Sequence, residues 1–144
     1  MKTTLKWVNN LSFMAKANSN HWVTMDADPK VGGENSASRP LEMLLMGLGG
    51  CTGMDVVSIL KKMRAPLQDF ELEIEAEQAP DHPKVFTKIH IKFIFYGNGI
   101  KKQNVERAIE LSEEVYCSAS AMLKKTAEIK TSYEIREPKT LPES

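Results

Sequence analysis

The sequence predicts an α+β fold of two layers, with antiparallel strands packed on a central apolar helix. Three observations carry that expectation. Two segments in the middle of the chain alternate apolar and charged residues with a period of two. A stretch starting at Pro40 is apolar on two opposite helical faces. The length of 144 residues fits one domain of ordinary size. Apolar residues make up 42% and charged residues 26%, values of a soluble globular chain that argue against disorder or fibre. Lys+Arg and Asp+Glu number 19 each, so the chain lacks the basic excess that nucleic acid or an anionic membrane calls for.

The elements follow in order. Residues Thr3 to Asp26 read as a meander of three short strands, with Asn9-Asn10 and Asn18-Ser19-Asn20 as turns that tolerate left-handed dihedrals. Ala27 to Arg39, with Gly32-Gly33 and Asn35, reads as a loop of the length that often carries function. Pro40 suits a helix start behind a cap at Ser38 or Arg39, and Pro66 ends the helix near Arg64. On it Leu41, Leu44, Leu45, Leu48, Thr52, Val56, Ile59 and Met63 share one face. Met43, Met46, Gly50, Met54 and Val57 share the opposite one. One sheet covers only one face, so the other calls for a second helix or a second subunit. Gly47, Gly49, Gly50 and Gly53 cost a helix interior about 0.8–1 kcal/mol each against alanine, which points to close approach of another backbone around Cys51. The plainer alternative is a broken helix.

Phe70 to Gln78 sets Phe70, Leu72, Ile74 and Ala76 against Glu71, Glu73, Glu75 and Glu77. Val85 to Phe95 alternates likewise, and Pro80-Asp81-His82-Pro83 turns between them. A hairpin that pairs Glu75 with Lys88, Glu73 with His90 and Glu71 with Lys92 satisfies both faces at once. Ile100 to Thr126 is helical by composition, with Val105, Ala108, Ile109, Ser112, Val115 and Tyr116 as its apolar stripe. If that helix is continuous, Cys117 falls off the stripe and is exposed. If the chain breaks after Tyr116, Cys117 begins a new short helix and turns inward. Ile129, Thr131, Tyr133 and Ile135 alternate as a last strand, and Pro138 and Pro142 mark a loose tail over residues 138–144. A single domain over 1–137 is expected.

No apolar leader is visible before Trp7, and Glu42, Asp55 and the glycines interrupt the most hydrophobic stretch, Leu41 to Val57. The expectation is a cytoplasmic protein with no membrane partner. Two cysteines far apart in such a chain are expected as thiols rather than as a structural disulfide. His21, His82 and His90 show no metal-ligand spacing, and no phosphate loop is present, so neither metal nor cofactor is expected.

The run Gly32-Gly33-Glu34-Asn35-Ser36-Ala37-Ser38-Arg39-Pro40-Leu41-Glu42, the apolar helix after it, Gly49-Gly50-Cys51-Thr52, and Val115-Tyr116-Cys117-Ser118 together resemble the OsmC/Ohr family. The order of strands and helices matches over nearly the whole chain. The resemblance implies an intertwined homodimer and a thiol peroxidase acting on an organic hydroperoxide, reduced by an external dithiol. In that scheme Cys51 is peroxidatic and Cys117 resolving, because a sulfenic acid left alone oxidises irreversibly. It implies service in oxidative or osmotic stress defence.

The sequence departs from the family pattern in three places. The family's glutamate stands one position earlier than Glu42, where this chain has Leu41. Glu42 itself points almost opposite to Cys51 on a regular helix, about 13 Å away along the axis at about 1.5 Å per residue. Arg39 is the only arginine before Cys51, and Ser118 replaces a proline. The catalytic candidates are therefore Cys51, Cys117, Arg39 and Glu42, with Arg39 expected from a dimer mate. Asp55, one turn beyond Cys51, is expected to raise the Cys51 pKa. The rival function is a small-molecule binding or redox-sensing protein of the same fold without peroxidase turnover.

Overall fold

The computed structural model describes residues 1–139, which divide into two compact units, Met1–Met46 and the part from Gly47 on. In the first unit β1 (Thr3–Asn9), β2 (Ser12–Ala17) and β3 (Trp22–Met25) form the expected antiparallel meander in the order β1-β2-β3. Asn10 and Asn20 take the positive φ angles of 40° and 62° that the turns require. The following loop is organised by Asp26, which is 2% exposed. Its carboxylate accepts from the Ser36 and Ala27 N–H groups, the Ser36 hydroxyl and the Glu34 N–H at 2.7–3.1 Å. Those donors, the Ser36 N–H first, hold the Asp26 carboxyl far below the usual carboxylate range. A one-turn 3-10 helix at Pro29–Val31 interrupts the loop.

Helix α1 (Pro40–Lys62) is unbroken, so the alternative of a broken helix fails. It is long and apolar enough by composition alone to cross a bilayer. One face of it is buried, through Leu48, Thr52, Gly53, Val56 and Leu60, while Leu44, Met46 and Met54 are exposed. A Cβ on Gly49 would stand 2.9 Å from Ile74 Cδ1, and one on Gly53 2.9 Å from Leu72 Cδ1. Real Cβ contacts do not come that close, so these two glycines bring the helix down onto a strand's side chains. Gly47 and Gly50 have no atom within 4 Å of the same position. The neighbours at Gly49 and Gly53 are side chains of the same chain rather than the other backbone that the glycines were expected to admit, and Gly47 and Gly50 face open space.

In the second unit β4 (Asp69–Gln78), β5 (Phe86–Tyr96) and β6 (Glu128–Arg136) form a sheet in that order. β4 and β5 pair antiparallel with the glutamate row exposed, as the alternation requires. The register differs from the expected one by two residues: Glu75 meets His90, Glu73 meets Lys92, and Glu77 meets Lys88. A slip of two preserves both faces, and the charge pattern alone did not separate the two registers. Lys88–Glu77 pairs at 3.0 Å in the observed one. β6 runs parallel to β5, so the sheet is mixed rather than wholly antiparallel. Ile89, Ile91, Phe93 and Phe95 of the central strand are 0–2% exposed. Burial of each such side chain is worth about 1.5–3 kcal/mol.

Helix α2 (Lys102–Leu111) passes into a π-helical turn, Ser112–Tyr116, and then into α3 (Ser118–Leu123). The predicted stripe holds through Val105, Ala108, Ile109 and Ser112 and then fails. Val115 is 64% exposed and Tyr116 57%, because the wider turn shifts the helical phase. Cys117, between the turn and α3, is 3% exposed. The expected break is therefore present, and the exposed-cysteine alternative is ruled out. Of the expected tail, Pro142 lies outside the described residues, while Lys139 pairs with Asp69 at 3.1 Å and with Glu71.

Candidate active site

Cys51 lies mid-way along α1, half-buried, while Cys117 lies in the gap between two helical segments, and both are free thiols. The two sulfurs and an Asp55 carboxylate oxygen all lie within 4.8 Å of one another. Three local features produce this convergence. Asp55 follows Cys51 by four residues and so stands on the same face of α1, one turn on. The Cys117 N–H donates to the Ser112 carbonyl at 2.8 Å, the wide-ring bond that closes the π-helical turn and directs the chain inward. The Ser112 hydroxyl then donates to Asp55 Oδ2 at 3.1 Å and ties that turn to α1.

Cys117 acts as the N-cap of α3, with φ −74° and ψ 98°. Its Sγ accepts from the Ser120 N–H at 3.4 Å, the bond that a capping serine or aspartate oxygen ordinarily makes. The Thr52 hydroxyl lies 3.2 Å from the same sulfur. Burial pushes the Cys117 thiol up. The Ser120 hydroxyl, the Thr52 hydroxyl, the Ser120 N–H and the Cys51 thiol together outweigh it and bring the thiol below its ordinary value. The Ser120 hydroxyl is buried with no settled hydrogen-bond partner among the described residues, which leaves it free to turn toward a Cys117 thiolate.

Cys51 shifts the other way. The Ala119 N–H favours its thiolate and is the strongest single influence. Burial, the Cys117 thiol and the Asp55 charge act together against it and raise the pKa. The expected effect of Asp55 therefore has the expected sign. Of the first N–H groups of α3, that of Ser120 donates to Cys117 Sγ. Because the thiols interact, the protons leave in two steps that belong to the pair, with Cys117 shifted down and Cys51 shifted up.

The other two candidates belong to the first unit and are engaged there. Arg39 forms an ion pair with Asp28 at 2.6 Å and reaches Asn35 Oδ1 at 3.5 Å. Glu42 Oε2 accepts from the Arg39 N–H at 2.8 Å, which is half of a capping box at the start of α1. Sequence reasoning placed Thr52 on the buried face but did not connect it, or Ser112 and Ser120, with the thiols. The only available signal was the hydroxyl-rich context of both cysteines, with Thr52 after one and Ser118 and Ser120 after the other.

The site is a pair of neighbouring free thiols, one buried and capping a helix and one half-open, built on an apolar helix of an α+β fold. The chain belongs to the OsmC-like protein family, whose profile matches residues 33–132. It is 41% identical to Protein YhfA of Escherichia coli K12 over 94% of this chain and 98% of that one. A crystal structure of a hypothetical protein from Aquifex aeolicus VF5 superposes with a TM-score of 0.84 at 30% identity, covering 96% and 97% of the two chains. An organic hydroperoxide resistance protein OsmC from Legionella pneumophila shares the fold, with a TM-score of 0.67 at 16% identity over 93% and 97%.

Proposed function

We propose that this protein is a cysteine-dependent peroxidase that reduces organic hydroperoxides, working as a cytoplasmic homodimer in oxidative or osmotic stress defence. The observation that carries the reading is the approach of Cys51 and Cys117 within 4.8 Å across 66 positions of sequence. The fold it shares with proteins described as organic hydroperoxide resistance proteins supports it. The Cys51 thiolate attacks the terminal oxygen of the hydroperoxide, the O–O bond breaks, and the alcohol leaves with a proton. Cys51 is then a sulfenic acid. The Cys117 thiolate attacks that sulfur and expels hydroxide, forming the disulfide. An external dithiol supplies two electrons and restores both thiols. The division of roles fits the exposure: Cys51 is half-open to a substrate, and Cys117 is buried with its thiolate already favoured.

Dimerisation is supported by what one chain leaves uncovered. Met46 is 55% exposed and Met54 75%. An open groove of about 540 Å³ runs beside Met54, lined also by Gly50, Gly53, Val57, Lys61 and Phe70. A second α1 lying there would cover that face, and Arg39 supplied by the second copy would offset the raised pKa of Cys51, with Glu42 orienting it. The direction of the Cys51 shift favours one second reading, a redox-sensing or small-molecule binding protein whose thiols react without turnover. Peroxide consumption with excess dithiol decides between them. Sustained consumption by wild type and none by Cys51→Ser supports the peroxidase, and a single stoichiometric oxidation supports the sensor.

A further inference from the structure

We propose that Cys51, Cys117 and Asp55 form a binding site for a thiophilic divalent cation of the Zn²⁺ type, with one coordination position left open. Two sulfurs and a carboxylate oxygen within 4.8 Å of one another are three of the four donors of a tetrahedral site. Zn–S bonds of about 2.3 Å and Zn–O bonds of about 2.0–2.2 Å place neighbouring donors roughly 3.5–3.8 Å apart, so modest side-chain rotation closes the set. Asp55 is the informative member. Beside a nucleophilic thiol a carboxylate opposes the thiolate, yet among metal ligands the same negative charge is an asset.

Its surroundings also suit a ligand. The Ser112 hydroxyl holds Oδ2 at 3.1 Å, the kind of outer hydrogen bond that orients a ligating carboxylate. Thr52 and the Ser120 N–H do the same for the Cys117 sulfur at 3.2 and 3.4 Å. The Ser120 hydroxyl is 1% exposed and without a partner among the described residues, in reach of a further bond to that sulfur. A groove of about 340 Å³, lined by Asp55, Lys62, Leu111 and Tyr116, reaches the carboxylate side of the cluster. Ligation displaces the protons of both thiols and binds both sulfurs. A bound cation and a Cys51–Cys117 disulfide therefore exclude one another. A cation would hold the thiols against peroxide, and oxidation would release it. That regulatory consequence rests on the peroxidase reading; the binding itself does not.

The test uses Co²⁺ as a spectroscopic probe on the reduced, chelator-treated protein. One equivalent should give a thiolate-to-cobalt charge-transfer band, release protons, and be displaced by Zn²⁺. Cys51→Ser and Cys117→Ser should abolish the band. Asp55→Asn should weaken Co²⁺ binding by at least about tenfold, and Asp55→Cys, which restores a donor, should recover it with a stronger band. The disulfide form should bind nothing. Absence of a band at one equivalent, an Asp55→Asn variant that binds as wild type does, or an Asp55→Cys variant that fails to recover binding, overturns the inference. Peroxide turnover in chelator is measured separately. Turnover without a cobalt band overturns the metal site alone, whereas a cobalt band without turnover supports it and overturns the peroxidase reading.

Discussion

Cys51 and Cys117 share one site but are held by opposite kinds of backbone. Cys51 is embedded in an uninterrupted 23-residue helix, where its own N–H and its neighbours' are committed to helical bonds. Cys117 occupies a break, where a π-helical turn ends and a new helix starts, so uncommitted donors are at hand. One consequence is electrostatic: the thiol at the break is favoured as a thiolate and the thiol in the helix is opposed. Another is access, since Cys117 is 3% exposed and Cys51 half-open. The sulfur best placed to meet a substrate is thus the one that needs outside help to ionise. The sulfur best able to ionise waits behind it.

The largest effect that would sharpen this contrast comes from replacing each thiol in turn. Cys51→Ser should lower peroxide consumption on the order of a thousandfold or more, the scale of losing a nucleophile. Cys117→Ser should keep one turnover and then accumulate sulfinic Cys51, seen by mass spectrometry. Equal losses with both residues unoxidised would erase the asymmetry.

Next in size is the pH response. A thiol with a depressed pKa is a thiolate below the ordinary cysteine range, and one with a raised pKa only above it. Ultraviolet thiolate absorbance of the reduced protein should therefore rise in two separated steps that flank the ordinary value of about 8.5. One merged step at that value would contradict the contrast.

Thr52→Val removes the hydroxyl beside Cys117 Sγ while keeping the shape of a fully buried side chain. At about 1 kcal/mol for one hydrogen bond, disulfide formation after a peroxide pulse should slow by about fivefold below the lower step. An unchanged rate would remove Thr52 from the account.

The smallest effects separate the two faces of α1. Gly50→Ala meets no atom within 4 Å in the single chain and should stabilise an isolated subunit by about 0.8–1 kcal/mol, read as a higher denaturant midpoint. In a dimer packed closely there, the same substitution should weaken association in sedimentation. Gly53→Ala must displace Leu72 and crowd Phe70, with contacts of 2.9 and 3.4 Å, and should lose that gain or reverse it.

Much of this was legible in the sequence because it rests on local periodicity. The alternation of Phe70–Gln78 determined which face of β4 is wet, and Pro40 and Pro66 bracketed α1. The phase change at Cys117 was legible only as one of two alternatives, because a π-helical turn has no composition of its own. The hairpin register was off by two for a related reason: Glu71, Glu73, Glu75 and Glu77 form a uniform row that pairs acceptably with Lys88, His90 and Lys92 in either setting. The parallel β6 was not legible at all, since alternation says which way side chains point and not which way the strand runs. At the site, the two thiols and the sign of the Asp55 effect could be read. Thr52 and Ser112 could not, because their roles come from tertiary approach across more than 50 residues, and Ser120, though only three residues from Cys117, depends on the π-helical turn that sets Cys117 at a helix start.

Whether the two thiols act as a pair is decided by peptide mapping after one equivalent of an alkyl hydroperoxide is added to the reduced protein. An intrachain Cys51–Cys117 disulfide is expected as the main product, formed in wild type and absent from both single serine variants. Cys51 carried on to sulfinic acid while Cys117 remains a free thiol would contradict it.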